Sequence, residues 1–154
     1  MASIKTLIRR LWVAESGAEL IELAIALPLL LLVTAGVVDL GILFQHYEVV
    51  TNAAREGARV GVLADFTETD VQNRVTQYLA ASGLTASAPA PKVTYSAVPI
   101  VAGGPSISVV KVVVQYPHEF VFLGPAAKLV GGTSLANITL AASATMRREG
   151  PAAP

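Results

Sequence analysis

The sequence predicts an α+β protein. A long N-terminal helix crosses a membrane and continues into a small outer domain, which adds a short second helix and a three-stranded antiparallel sheet. Three observations predict this. From Leu23 to Phe44 the chain is apolar except for Asp39, and roughly 20 apolar residues suffice for a helix to cross the hydrocarbon core. Directly beyond, residues 45–64 hold a helix-period stripe of small residues and no proline. Past residue 90 the pattern changes to β-branched residues and alternation with a period of two.

Composition agrees with an anchor joined to one small domain. The 154 residues are 53% hydrophobic and only 14% charged, against a usual quarter. Basic and acidic side chains number 11 each, so the net charge is zero and there is no electrostatic footprint for nucleic acid. The absence of cysteine excludes disulfides and thiolate metal sites.

Charge around the apolar run gives its direction. Lys5, Arg9 and Arg10 precede it, and the next basic residue is Arg55. Positive residues stay inside, so the N-terminus is expected in the cytoplasm and residues 45–154 outside. An ordinary secretory signal has a shorter apolar core and a small-residue cleavage site after it, which this segment lacks. Asp39 lies about 24 Å beyond Leu23 at 1.5 Å per residue. That depth makes it an interfacial carboxylate or a helix–helix contact within an assembly. Pro28 is tolerable in a membrane helix, and a bend or a briefly unwound turn is expected there.

Beyond the span, Val50, Ala53, Ala54, Gly57, Val60, Gly61 and Ala64 recur three and four apart and form one stripe. Glu48, Asn52, Arg55, Glu56 and Arg59 take the other side. As one helix, residues 18–62 would extend about 67 Å. Gly57 and Gly61 each weaken a helix relative to alanine. Their expected use is close packing, against the sheet in preference to a second helix.

A second helix is predicted from Thr67 to Gly83. Thr67 or Thr69 caps it, Glu68 and Asp70 suit its start, and Gly83 stops it. Val71, Val75, Tyr78 and Leu79 form its apolar face. The proline-marked "TASAPAP" is a linker. Val93, Tyr95 and Ala97 then alternate as a first strand, and residues 106–117, rich in β-branched valine and isoleucine, suit a central strand. "VPIVAGGP" is the hairpin loop between them. Residues 135–147 form the third strand, with Ile138, Leu140, Ala142, Ala144 and Met146 on one face. The insertion 118–133 is expected to hold a helical turn and a loop, and the terminal "REGPAAP" to be loose.

Residues for catalysis are scarce. His46 and His118 stand far apart in the chain, and two distant histidines without cysteine make a weak metal site. Neither a G-x-S-x-G motif nor a phosphate-binding loop occurs. Glu48, Arg55, Glu56 and Arg59 fit a solvated helix face with Glu56–Arg59 spacing better than a reactive cluster. Asn137-Ile138-Thr139 matches a glycosylation sequon inside a predicted strand. The chain is therefore expected to have no enzymatic activity, no cofactor and no small-molecule substrate.

The order of basic leader, Gly17, Ala18-Glu19-Leu20-Ile21-Glu22 and apolar run resembles the class III signal of type IV pilins and pseudopilins. With "NAAREGARVG" just past the span and a last strand ending in "ASATMRRE", residues 15–149 look like TadE-like pseudopilins. Those are minor pilins of the tight-adherence system, which builds Flp-type pili. The resemblance implies a pilin-like fold and cutting between Gly17 and Ala18 by a prepilin peptidase. Residues 1–17 would be a cytoplasmic leader, 18–44 the transmembrane part, 45–149 the outer domain and 150–154 a flexible tail. It also implies an inner-membrane protein, or one displayed in an extracellular pilus after assembly, whose partners are the peptidase and other pilins.

The chemistry of that reading is coherent. Cutting leaves an ammonium on Ala18, and Glu22 lies one helical turn on. Opposite charges about 4 Å apart attract by about 4 kcal/mol at an effective dielectric of 20, before desolvation. Glu22 would thus neutralise its own terminus or a neighbour's. The residue-level reading alone reaches a membrane-anchored, exported domain, and it leaves open an uncleaved, single-pass tethered scaffold or adhesin.

Overall fold

The computed structural model describes residues 15–84, 88–101, 104–129, 131 and 137–148. The leader up to residue 14, part of the proline-marked linker, the tips of two loops and the tail lie outside the described residues. The α+β expectation holds: a long apolar helix, a second helix and an open three-stranded antiparallel sheet.

Helix α1 (Glu15–Gly61) is unbroken for 47 residues, a rod of about 70 Å. The unwound turn expected at Pro28 is absent. Proline removes one N–H bond, the one Ala24 would accept, and the remaining ladder carries the helix through. Among the described residues its first half has no protein partner. Leu20, Ile25, Leu29, Val33 and Val37 are all more than half exposed, so every side of this segment is apolar and open. Its second half is the spine of the domain. Val50, Ala53, Ala54 and Ala58 are fully buried, with Gly57 and Gly61 between them.

This stripe differs from the predicted one at two places. Ala58 replaces Val60, which is only half-buried, because it continues the series from Ala54 to Gly61. Ala64 is exposed because the helix has already ended at Gly61.

Helix α2 (Glu68–Ala81) begins with a reciprocal cap. The Thr67 side chain accepts from the Asp70 N–H, and the Asp70 carboxylate accepts from the Thr67 N–H at 2.9 Å. It ends at Gly83, whose φ of +81° lets the chain reverse. Gly83 N–H then reaches the Ala80 carbonyl and Leu84 N–H the Leu79 carbonyl, while both leucines are buried. Val71, Val75 and Leu79 face inward against α1.

The sheet is a meander in the order β1 (Lys92–Pro99), β2 (Ser106–Glu119), β3 (Asn137–Arg147). Register pairs Pro99 with Ser106, so the hairpin loop is short, and Ile100 N–H closes it on the Pro105 carbonyl. β2 runs two residues further than expected, to Glu119, and Pro117 does not end it. Only one face is covered. Val110, Val112 and Val114 are fully buried on it, and Lys111 and Gln115 point the other way. The partners of these valines, Tyr95, Val93, Met146, Ala144 and Ala142, share that face and join the same core. Burying each valine contributes about 1.5–3 kcal/mol. The insertion after β2 contains a two-turn helix, α3 (Leu123–Leu129).

Candidate functional site

β2 runs back along α1, and this antiparallel course sets every contact at the site. A Cβ on Gly61 would touch Val110, and one on Gly57 would touch Val112. Further down, His46 is reached by Tyr116 and His118 on the same β2 face. Beyond the strand, residues 121–123 arrive at Asp39.

Gly57 and Gly61 serve two close approaches, not the sheet alone. A Cβ on Gly57 would overlap Val75 of α2 and stand 3.3 Å from a methyl of Val112. One on Gly61 would stand 2.9 Å from a methyl of Val110 and 3.4 Å from Val71. The two glycines thus sit in the seam between the second helix and the sheet.

Asp39 is 1% exposed. Its carboxylate accepts the N–H of Val121 at 3.0 Å, of Phe122 at 3.0 and 3.2 Å, and of Leu123 at 2.7 Å. These are the orphan donors at the start of α3, whose first internal bond runs from Ala126 N–H to the Phe122 carbonyl. Asp39 is therefore a helix cap supplied from another helix. Neither sequence reading of Asp39 named this partner: the carboxylate is bound within its own chain. The domain folds back over the helix as far as residue 39.

The histidines form a pair. Distant in sequence, His46 and His118 meet with their Nδ1 atoms 2.9 Å apart. His118 is 2% exposed, and its ring stands edge-on to Phe120 at 5.2 Å, while His46 stands edge-on to Tyr116 at 5.8 Å. The Nε2 of His118 is buried without a partner. A bare lone pair is easier to bury than an unpaired N–H. His118 therefore donates from Nδ1 to His46, which accepts and keeps its proton on Nε2. Burial pushes both imidazole pKa values down. The neighbouring His118 lowers that of His46 further, and Asp39 partly opposes the fall at His118. Among the described residues no group of three or more His, Cys, Asp or Glu comes together to hold a metal.

A sequence signal for this pair existed. His46 stands four residues before Val50 in the α1 stripe, and His118 continues the alternation from Val110 through Tyr116. Extending both periodicities puts each ring on the core-facing side of its element, without saying that the two meet.

The remaining predicted residues lie at the other end of α1. Gly17 is half-buried, and Ala18 and Glu22 are exposed; the Gly17–Ala18 bond sits in the first turns, with Glu22 one turn after Ala18. Glu56 departs from the solvated face expected for it. It is bound by Arg74 of α2 at 2.7 Å as well as by Arg59 at 3.2 Å, and Arg74 is the larger cause of its lowered pKa. An apolar cleft of about 200 Å³ lies between Thr76, Leu79, Leu84 and Ala88–Pro91. Ligand pockets are usually larger and carry convergent polar groups.

Among the described residues one bare helix, long and apolar enough to cross a membrane, is rooted as the spine of a small α+β domain, an arrangement that suggests a membrane anchor. Residues 17–59 match the family model of TadE-like proteins, to which this segment is similar. The match begins at Gly17, ends within the glycine-lined stripe and lies wholly within α1. No curated protein and no solved structure matches the chain.

Proposed function

We propose that the chain is a minor pilin, or pseudopilin, required for assembly of a tight-adherence pilus. It waits in the inner membrane with its N-terminus in the cytoplasm and its domain in the periplasm. A prepilin peptidase trims it between Gly17 and Ala18. The bared helix then packs against the helices of other pilins, with Glu22 balancing the new ammonium of its own or an adjacent subunit. The mechanism is docking, not turnover.

One observation carries this reading. The segment that matches the TadE-like family is the same helix whose first half is apolar on all sides and has no partner among the described residues. A rod left bare in this way suits lipid first and like helices later. The lipid-facing part ends just before Asp39, which the folded domain already covers.

Mass spectrometry of the protein from piliated cells tests the cut. A mature chain beginning at Ala18 is expected, and an intact Met1 in cells containing the peptidase would leave a tethered scaffold instead. The Glu22→Ala variant should stay anchored while piliation falls; normal piliation contradicts the neutralising role.

A further inference from the structure

We propose that α3 and the turn before it form a second membrane contact, a foot seated at the headgroup–acyl boundary of the leaflet from which α1 emerges. The proposal rests on the reading of α1 as a membrane anchor. From Leu23, where the apolar run starts, to Asp39 the rod rises about 24 Å, about one helical turn short of the roughly 30 Å of a hydrocarbon core. Asp39 therefore lies near the level where the core ends. Its carboxylate pegs the backbone of Val121, Phe122 and Leu123 at that same level.

What stands there is apolar and uncovered. Val121 is 55% exposed, Phe122 49% and Leu129 88%. Phe122, Pro125 and Leu129 are spaced three and four apart on one face of α3, while Gly124 and Ala127 are buried against the domain. On the rod itself Phe44 and Tyr47 are also exposed, one turn apart. Aromatic rings favour the headgroup level. Lys128, the basic residue of the last turn of α3, is exposed beside Leu129 and suits a lipid phosphate. The occupant is lipid and not a second protein, because this patch is continuous with the bare rod. A protein seated on it would have to displace the lipid already around α1. With two anchoring points the domain has a fixed orientation on the membrane.

The absence of native cysteine allows single labels on the full-length chain. Spin labels at Phe122→Cys and Leu129→Cys are compared in phosphatidylethanolamine–phosphatidylglycerol liposomes with Val33→Cys in the rod and Asn73→Cys on the exposed side of α2. Collision with oxygen and with a water-soluble nickel chelate is measured. The foot predicts that 122 and 129 lose nickel access and gain oxygen access, as Val33 does, while Asn73 keeps nickel access. Nickel access at 122 and 129 with a lipid-like Val33 overturns the foot and leaves the anchor standing. Loss of access to both reagents at 122 and 129 means another protein copy covers the patch, which also overturns it. A water-exposed Val33 overturns the anchor and the foot together.

Discussion

His118 donates to His46 across 2.9 Å, joining the end of β2 to the point where α1 enters the domain. Only one proton fits between the two Nδ1 atoms, so the bond is lost once both rings are protonated. Burial opposes that by lowering both pKa values from the ordinary 6.5. As pH falls through 6.5 the unfolded chain takes up protons that the folded domain refuses. The stability held by the pair is full above that pH, and it is lost as pH falls toward the depressed folded values. Urea unfolding of the detergent-solubilised chain, followed by tyrosine fluorescence, should show a midpoint that drops between about pH 7 and 5. The His46→Gln variant should flatten that dependence; an unchanged slope would show that the pair does not titrate as argued.

The cap that Asp39 provides is expected to be worth more than a surface cap. Removing it leaves three backbone donors at the start of α3 without their acceptor, and a buried donor left unpaired costs about 1–3 kcal/mol. Asp39→Ala should lower the domain's melting temperature and speed amide exchange at residues 121–126. Asp39→Asn keeps one acceptor oxygen and should recover part of the loss. Slow exchange at Leu123 in the alanine variant would mean the turn is held by something else.

How far these features could be read in advance follows from how local they are. The α1 stripe, the Thr67 cap and the alternation in β2 are set by neighbours a few positions away, so residue type and spacing announce them. Asp39 binds residues 82 to 84 positions on, and His46 meets a ring 72 positions on. No local pattern encodes such a pairing. Asp39 was further disguised by its place in an apolar run, where depth alone argued for headgroups. α3 was visible only as a turn because Gly124 and Pro125 are poor helix formers, and an acid from another helix supplies its cap.

The seam at Gly57 and Gly61 gives a prediction with opposing terms. Alanine gains about 1 kcal/mol of helix propensity over glycine. Overpacking a filled core costs about 1–3 kcal/mol. At Gly57 the new methyl overlaps Val75, which is fully buried and has nowhere to move, so packing wins. At Gly61 the nearest methyl stands at 2.9 Å, and the net loss should be smaller. Gly41→Ala is the control, since nothing lies within 4 Å of its Cβ position. Thermal melts should rank Gly57→Ala least stable, then Gly61→Ala, with Gly41→Ala near the parent. Equal stability for the first two and the parent would mean α1, α2 and the sheet pack less closely than described.

The ion pair between Glu56 and Arg74 is the tempting explanation for how α2 is fixed to α1, and it is expected to contribute little. Arg74 is 46% exposed, so solvent screens the attraction, and exposed pairs contribute about 0.2–1 kcal/mol. The apolar contacts of Val71, Val75 and Leu79 outweigh it, at about 1.5–3 kcal/mol for each buried side chain. A double-mutant cycle with Glu56→Gln and Arg74→Gln should give a coupling below about 1 kcal/mol. The pair has its own pH window. Hydrogen bonds from Arg74 and Arg59 hold the Glu56 pKa below its ordinary 4.5. Its contribution is therefore present above that pH and disappears as pH falls through the lowered folded value, well below the range in which the histidines act. Stability against pH should consequently fall in two separate stages. Glu56→Gln should shrink only the more acidic one; a change in the stage near pH 6.5 would show that the two sites are coupled through α1.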